Sequence, residues 1–145
     1  MERHVENARK VATFLRDDPR VAWVNYTGFA DSPYFDLVQK YLKGRVSPLF
    51  TFGIKGGLDA GKNFYDSLNL VTRLVNIGDA KSLACHPAST THRQMSPEEQ
   101  RQAGVLPETI RLSIGIEHID DIIADLDQAL ERACSRHPLT QATGP

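Results

Sequence analysis

Residues 109–116, with the sequence Thr-Ile-Arg-Leu-Ser-Ile-Gly-Ile, are the stretch that decides the fold. Apolar side chains alternate in it with small or polar ones, which predicts a β-strand with one apolar face. The apolar set is Ile110, Leu112, Ile114 and Ile116. Arg111 shares the other face with Ser113 and Gly115, so its long cationic side chain has only small side chains beside it on that strand.

The pattern around Arg111 has two interpretations. A guanidinium holds a planar carboxylate by two parallel charge-assisted hydrogen bonds, and small neighbours leave room for such a ligand. An arginine on a solvated sheet face would give the same pattern. The alternation alone leaves both open.

The rest of the chain alternates between helical and extended patterns. Helices are predicted near residues 1–17, 34–42, 58–74, 97–103 and 119–133, and further strands near 21–26, 48–55 and 82–86. This order, with its short links, predicts an α+β domain of two layers: a small mixed or mostly antiparallel sheet with helices on one side. The domain is expected over residues 1–135. Residues 136–145 have little to bury and are predicted to be a disordered tail.

Three details of the predicted helices can be checked directly. The helix from 58 to about 74 places five side chains in the core: Leu58, Phe64, Leu68, Val71 and Leu74. Four acidic residues of the last helix are expected on its solvent side: Asp120, Asp121, Asp125 and Asp127. The sequence Ser-Pro-Glu-Glu at 96–99 predicts a helix start with a capping box.

Composition excludes several classes of protein. A chain of 145 residues fits one domain, and a formal net charge of −1 gives no electrostatic footprint for nucleic acid or an anionic membrane. No apolar run approaches the roughly 20 residues that span a bilayer, and the first ten residues lack a signal-peptide core. Two cysteines make no disulfide framework. We therefore expect a cytoplasmic protein.

Asn76 is a second candidate binding residue because it lies two positions before Gly78. A glycine lets the backbone turn tightly and bring the asparagine amide near a ligand. The alternative is an Asx-type turn without a ligand.

The stretch 85–92 is dense in polar side chains. A metal site would need Cys85, His86 and His92. The first two are adjacent on a strand and should point to opposite faces, which argues against a metal and against a cysteine nucleophile. The hydroxyls of Ser89, Thr90 and Thr91 could hold an anion or could satisfy the local backbone.

Several motifs in order resemble the cysteine and methionine metabolism family of pyridoxal-phosphate enzymes, and within it the sulfhydrylase branch. They are Met-Glu-Arg-His at 1–4, Val-Ala-Trp-Val-Asn-Tyr at 21–26, Phe-Gly-Ile-Lys-Gly-Gly at 52–57, Asn-Ile-Gly-Asp-Ala-Lys-Ser-Leu at 76–83, His-Pro-Ala-Ser-Thr-Thr-His at 86–92 and Arg-Leu-Ser-Ile-Gly-Ile-Glu at 111–117. The resemblance implies the small carboxy-terminal domain of the aminotransferase-like type I fold, a short, mostly antiparallel sheet carrying helices.

The resemblance also implies a function. Arg111 would bind the substrate α-carboxylate, Asn76 would line the same site, and Ser89, Thr90 and His92 are weaker candidates. The implied reaction replaces the acetate of O-acetylhomoserine by sulfide to give homocysteine, a step of methionine biosynthesis. The cofactor lysine belongs to the large domain of the family, so no catalytic residue is expected in this chain, and pyridoxal phosphate is not expected to bind it alone.

The implied partners are the missing large cofactor-binding domain, a small amino-acid substrate and further copies of the chain in a homo-oligomer. The alternative is a non-catalytic binding or interaction domain that kept the fold after losing the catalytic half.

Overall fold

Five strands form one mixed sheet within residues 1–135, the part of the chain that the computed structural model describes. They are β1 (Val21–Asn25), β2 (Leu49–Ile54), β3 (Thr72–Arg73), β4 (Leu83–Cys85) and β5 (Thr109–Ser113). The strand order is β1-β2-β5-β4-β3, and neighbours are antiparallel except for the parallel pair β3 and β4. The predicted disordered tail, 136–145, lies outside the described residues.

The helices within residues 1–135 are α1 (Glu2–Asp17), α2 (Phe35–Leu42), α3 (Gly57–Ser67), α4 (Pro97–Gln102) and α5 (Ile119–Ser135), with a 3₁₀ turn at Pro87–Ser89. The three longest, α1, α3 and α5, cover one face of the sheet. The apolar stripes of α1, α3 and α5 join the sheet in one core. The predicted α+β class, with a mostly antiparallel sheet, is therefore confirmed. None of the helices within residues 1–135 has the length and hydropathy to cross a membrane.

The covered face of the sheet comes from alternation along β2 and β5. Phe50, Phe52 and Ile54 point into the core, and so do Ile110 and Leu112 of the neighbouring strand. The rings of Phe52 and Phe64 meet edge to face, with centroids 5.6 Å apart, an arrangement that aromatic pairs favour. This packing fixes which residues are left for the opposite face.

Helix α3 is shorter than its pattern predicts because a buried carboxylate holds the chain that follows it. Both oxygens of Asp125 accept backbone N–H groups of residues 69–71, at 2.8 to 2.9 Å. The helix therefore ends at Ser67, and the next residues enter β3. Two predictions were wrong here: Asp125 is buried, and Leu58 and Leu74 are exposed.

Strand β5 also ends earlier than predicted, at Ser113. The N–H of Gly115 donates to the Ser82 hydroxyl at 2.9 Å, and the Ser82 hydroxyl donates to Glu117 at 2.9 Å. These bonds turn the chain away from the sheet, so Ile116 is exposed and does not join the apolar face as expected.

The predicted capping box is confirmed. The Ser96 side chain accepts from the Glu99 N–H at 3.3 Å, and the Glu99 carboxylate accepts from the Ser96 N–H at 2.7 Å. Pro97 occupies the first turn, where its missing N–H leaves no unmade bond.

Candidate functional site

The face of the sheet opposite the helices carries the candidate site, and we call it the open face. It is formed by Trp23 and Asn25 of β1, Thr51 of β2 and Arg111 of β5. Thr51 is the register partner of both Asn25 and Arg111, so three of these side chains form one row across three strands. Cys85 extends the row onto β4.

Arg111 is half-buried between Thr51 and Cys85. Both of these cross-strand neighbours are small. Within residues 1–135 the guanidinium has no hydrogen-bond or ion-pair partner. A guanidinium offers five N–H donors in a planar fork, so this one is chemically able to hold a carboxylate.

The segment that carries Asn76 is tied to the same strand. Gly78 has a φ of +75°, the left-handed conformation expected of this glycine, and its N–H donates to the Ser113 hydroxyl at 3.1 Å. An Asx-type turn at Asn76 would need that N–H for itself, so the structure does not form one. The Asn76 side chain is exposed, and its binding role stays a prediction.

Two weaker candidates in the loop after β4 make local hydrogen bonds. The Thr90 hydroxyl donates to the carbonyl of His86 at 2.8 Å and lies 3.4 Å from the Cys85 sulfur. The Ser89 hydroxyl lies 2.6 Å from the His86 ring. These contacts favour the interpretation in which both hydroxyls satisfy the loop itself.

His86 is fully buried on the helix side of the sheet, and both nitrogens of its ring form hydrogen bonds within the fold. Its Nε2 lies 2.8 Å from the Pro107 carbonyl, which can only accept, so this nitrogen carries the proton. Burial lowers the pKa of His86, an effect that the hydrogen bond to Pro107 partly opposes. The ring is therefore neutral, and its Nδ1 accepts from the Ser89 hydroxyl. The bond from Nε2 to the Pro107 carbonyl ties the ring to the turn immediately before β5.

Cys85 and His86 point to opposite faces, as predicted. Cys85 pairs with Arg111 on β5, whereas the His86 ring packs towards Gly61 and Tyr65 of α3. His92 bonds through Nδ1 to the neighbouring Thr91 hydroxyl at 2.8 Å. The described residues contain no group of three or more His, Cys, Asp or Glu side chains placed to hold a metal.

The lysines inside the sequence motifs do not lie beside Arg111. The Lys55 amine donates to the Pro19 carbonyl at 2.6 Å, beyond the end of β2. Lys81 is exposed and lies two positions before Leu83, whose register partner is Ser113. Neither lysine is therefore placed beside Arg111 to hold pyridoxal phosphate, and the expectation that the cofactor does not bind this chain alone stays a prediction.

Sequence reasoning missed three members of the open face. Trp23, Asn25 and Thr51 were assigned to strands without a role, because nothing in a single strand shows which neighbour it will have. The alternation of Thr51 with Phe50 and Phe52 was a usable signal, since it puts the hydroxyl on the polar side of β2.

A separate apolar groove lies between the start of α1 and the chain that enters β2. Its cavity volume is about 610 Å³, and its apolar lining comprises Met1, Val5, Leu42, Val46 and Pro48. Charged side chains of Glu2, Glu6, Arg9 and Arg45 also line it. Met1 and Leu42 are 72% and 49% exposed, so the isolated chain leaves this groove uncovered.

Comparison with known proteins gives consistent matches. The model of the Cys/Met metabolism PLP-dependent enzyme family matches residues 1–131. The O-acetyl-L-homoserine sulfhydrylase 1 of Thermus thermophilus is 54% identical over 129 residues, which are 89% of this chain and 31% of the relative. The homocysteine synthase of Schizosaccharomyces pombe is 49% identical over 133 residues, 92% of this chain and 31% of the relative.

A solved structure supports the fold. An O-acetylhomoserine (thiol)-lyase of Campylobacter jejuni, whose crystal structure contains an N′-pyridoxyl-lysine-5′-monophosphate, superimposes with a TM-score of 0.82 at 46% identity. The match covers 90% of this chain and 31% of that one. The chain thus spans about a third of the length of the relatives that it matches.

Proposed function

Because the chain belongs to the Cys/Met metabolism family of PLP-dependent enzymes, we propose that it is the carboxy-terminal, substrate-binding part of an O-acetylhomoserine sulfhydrylase. In the complete enzyme, acetate leaves O-acetylhomoserine and sulfide takes its place to give homocysteine. The names of the relatives support this choice of reaction.

The observation that carries the proposal is the Arg111 guanidinium. It is half-buried on the open face, with no anion to pair with among residues 1–135. Partial burial of an unpaired cation costs stability, so a site that keeps one is a candidate for an anionic ligand. A carboxylate accepts both prongs of the fork, and the substrate of the proposed reaction has one.

Asn76 is the second residue of the proposed site. The bond from Gly78 to Ser113 anchors its segment to the strand that carries Arg111, two residues from the guanidinium. Its exposed amide can both donate to and accept from a ligand bound there. His92 and the hydroxyls of Ser89 and Thr90 are weaker candidates because their hydrogen bonds are local.

A chimera tests the proposal. The matching 31% of the Thermus thermophilus relative is replaced by this chain, and homocysteine is measured after adding O-acetyl-L-homoserine and sulfide. The chimera should be active. Arg111→Ala should lower kcat/KM by about 30-fold to 1,000-fold, equivalent to about 2 to 4 kcal/mol, and Arg111→Lys should not restore it because a point donor lacks the fork.

The exposed Glu98→Gln change on α4 is the matched control and should leave kcat/KM unchanged. An Arg111→Ala chimera within twofold of its parent would show that this residue does not bind the carboxylate. An inactive parent chimera would favour the alternative, a binding or interaction domain without catalysis.

The isolated chain is proposed to bind no cofactor covalently and to associate with further copies of itself. The first expectation rests on the positions of Lys55 and Lys81, and the second on the uncovered groove beside α1. After pyridoxal phosphate and borohydride, mass spectrometry should find no single lysine labelled stoichiometrically. Light scattering should find a dimer or a larger assembly, and a monomer at high concentration would contradict the second expectation.

A further inference from the structure

The segment 74–82, which we call the crossing segment, runs over the open face beside Arg111. It leaves β3 at the edge of the sheet and passes over β4 to β5, where the Gly78 N–H donates to the Ser113 hydroxyl at 3.1 Å. Ser113 is two residues from Arg111 on the same face, about 7 Å along the strand. Asn76 lies between β3 and this contact, so its position relative to Arg111 depends on how the segment is held.

Burial of side chains contributes little to holding the crossing segment. Residues 74–78 and 80–81 are exposed, and within the segment only Ser82, its last residue, is buried. The position of the segment must therefore come from hydrogen bonds to the neighbouring chain.

The carboxylate of Glu117 holds the end of the crossing segment. One oxygen accepts the Ser82 N–H at 2.6 Å, and the other accepts the Ser82 hydroxyl at 2.9 Å. That hydroxyl accepts the Gly115 N–H at 2.9 Å, and the Ala80 carbonyl accepts the Ile116 N–H at 2.9 Å. A Cβ atom at Gly115 would lie 2.3 Å from the Ala80 carbonyl oxygen, so the segment packs directly on this glycine.

Helix α1 fixes both sides of this arrangement. The side-chain amide of Asn7 donates to the carbonyls of Gly115 and Glu117 at 3.1 and 3.0 Å. His4 Nε2 lies 3.1 Å from the Asp79 carbonyl, which can only accept, so this nitrogen carries the proton and donates. Both α1 side chains are buried. The backbone of Glu117 and the end of the crossing segment are therefore held against the same helix.

We infer that Glu117 is a positioning residue of the proposed site. Its carboxylate holds the crossing segment so that Asn76 meets a ligand bound to Arg111. Without the carboxylate, the Ser82 N–H and hydroxyl lose their acceptors, and the exposed part of the segment is free to shift. Asn76 then loses its bond to the ligand while Arg111 keeps its own. The inference rests on the proposed carboxylate-binding function and adds to it the residue that sets the shape of the site.

The test is an NMR titration of the whole chain with O-acetyl-L-homoserine. Arg111→Lys identifies the Arg111 Nε–H signal, and Asn76→Ala identifies the side-chain amide signals of Asn76. Both should respond in the wild-type chain with one dissociation constant. In Glu117→Ala the Arg111 signal should still respond, the Asn76 signals should not, and binding should weaken about tenfold, the effect of one lost hydrogen bond.

A double variant shows whether Glu117 acts through Asn76. Asn76→Ala should weaken binding about tenfold by itself, and the variant that combines it with Glu117→Ala should bind no more weakly than either single variant. A merely structural role of Glu117 would add its own loss to that of Asn76→Ala. The exposed Glu131→Gln on α5 is the control and should bind like the wild-type chain.

Two conservative variants distinguish the geometry of Glu117 from its charge. Glu117→Gln keeps an acceptor for the Ser82 N–H at the same length and should bind within about threefold of the wild-type chain. Glu117→Asp keeps the charge, but its carboxylate is one methylene too short, so it should bind as weakly as Glu117→Ala. This pair decides the question if circular dichroism shows that Glu117→Ala does not fold.

The outcomes separate the inference from the proposed function. If Glu117→Asp keeps the wild-type affinity and the Asn76 response, or if the losses of the double variant add, Glu117 does not position the site, and the carboxylate site stands. A wild-type chain in which Arg111 responds and Asn76 does not would overturn the inference in the same way. If the Arg111 signal does not respond in the wild-type chain, the carboxylate site fails, and the inference fails with it.

Discussion

Phe52 and Thr51 are neighbours on β2, yet Phe52 is fully buried against α3 and Thr51 is half-exposed beside Arg111. The same contrast separates Leu112 from Arg111 on β5. Alternate residues of the same strands thus build two faces with different chemistry: a covered face of apolar side chains, and an open face of an indole, an amide, a hydroxyl and a guanidinium.

The two faces therefore have different roles: the covered face stabilises the fold, and the open face is where we expect a ligand to bind. Buried apolar area on the covered face supplies most of the favourable free energy of folding. Side chains on the open face bury less and make few internal bonds, so changes there should alter ligand binding and leave folding nearly intact. Pairs of substitutions, one on each face, test whether the two roles are separate.

Phe52→Ala should have the largest effect on stability. The ring is buried and packs edge to face on Phe64, so its loss removes transfer free energy and leaves a cavity. The free energy of unfolding should fall by about 3 to 5 kcal/mol, measured by urea denaturation followed by circular dichroism. Thr51→Ala, one residue away on the open face, should change it by less than about 0.5 kcal/mol. Equal effects of the two changes would abolish the distinction between the faces.

Asp125→Ala tests the buried charge that lies among the helices of the covered face. Its carboxylate accepts three backbone N–H groups of residues 69–71, and these donors would lose their partner. An unsatisfied buried donor costs about 1 to 3 kcal/mol, and water can reach part of this segment, so we expect a loss of about 3 kcal/mol overall. The exposed Glu131→Ala on the same helix is the control. A loss below 1 kcal/mol for Asp125→Ala would mean that the segment folds without the carboxylate.

Asp125 also shows where prediction from the sequence ends. Local sequence patterns were sufficient to predict the alternation of β2 and β5, the capping box at Ser96 and the order of the helices and longer strands. Each of these features depends on residues that are neighbours in the chain. The helical pattern after Ser67 continued as far as Leu74, but a carboxylate more than 50 residues away captures the backbone there. A local pattern has no information about such a partner.

The residues of the candidate site likewise include one that the sequence could predict and others that it could not. Arg111 could be found from its own strand, because the alternation puts a long cationic side chain on the polar face beside small residues. Trp23 could not, since its relation to Arg111 exists only once β1 and β5 lie on either side of β2. Its contact with Gly53 is likewise a product of register, which a single sequence does not specify across separate strands.

Arg111→Met should have the smallest effect on stability, and it distinguishes a binding residue from a structural one. Methionine keeps an unbranched apolar stem on the sheet and removes a half-buried charge that has no counter-charge within residues 1–135. The cost of lost contacts and the gain from removing the charge should nearly cancel, so the free energy of unfolding should change by no more than about 0.5 kcal/mol. Leu112→Ala, the next residue on the covered face, should lose about 2 to 5 kcal/mol under the same urea titration. If Arg111→Met were as damaging as Leu112→Ala, the guanidinium would be part of the fold, and its exposure to a ligand would need another explanation.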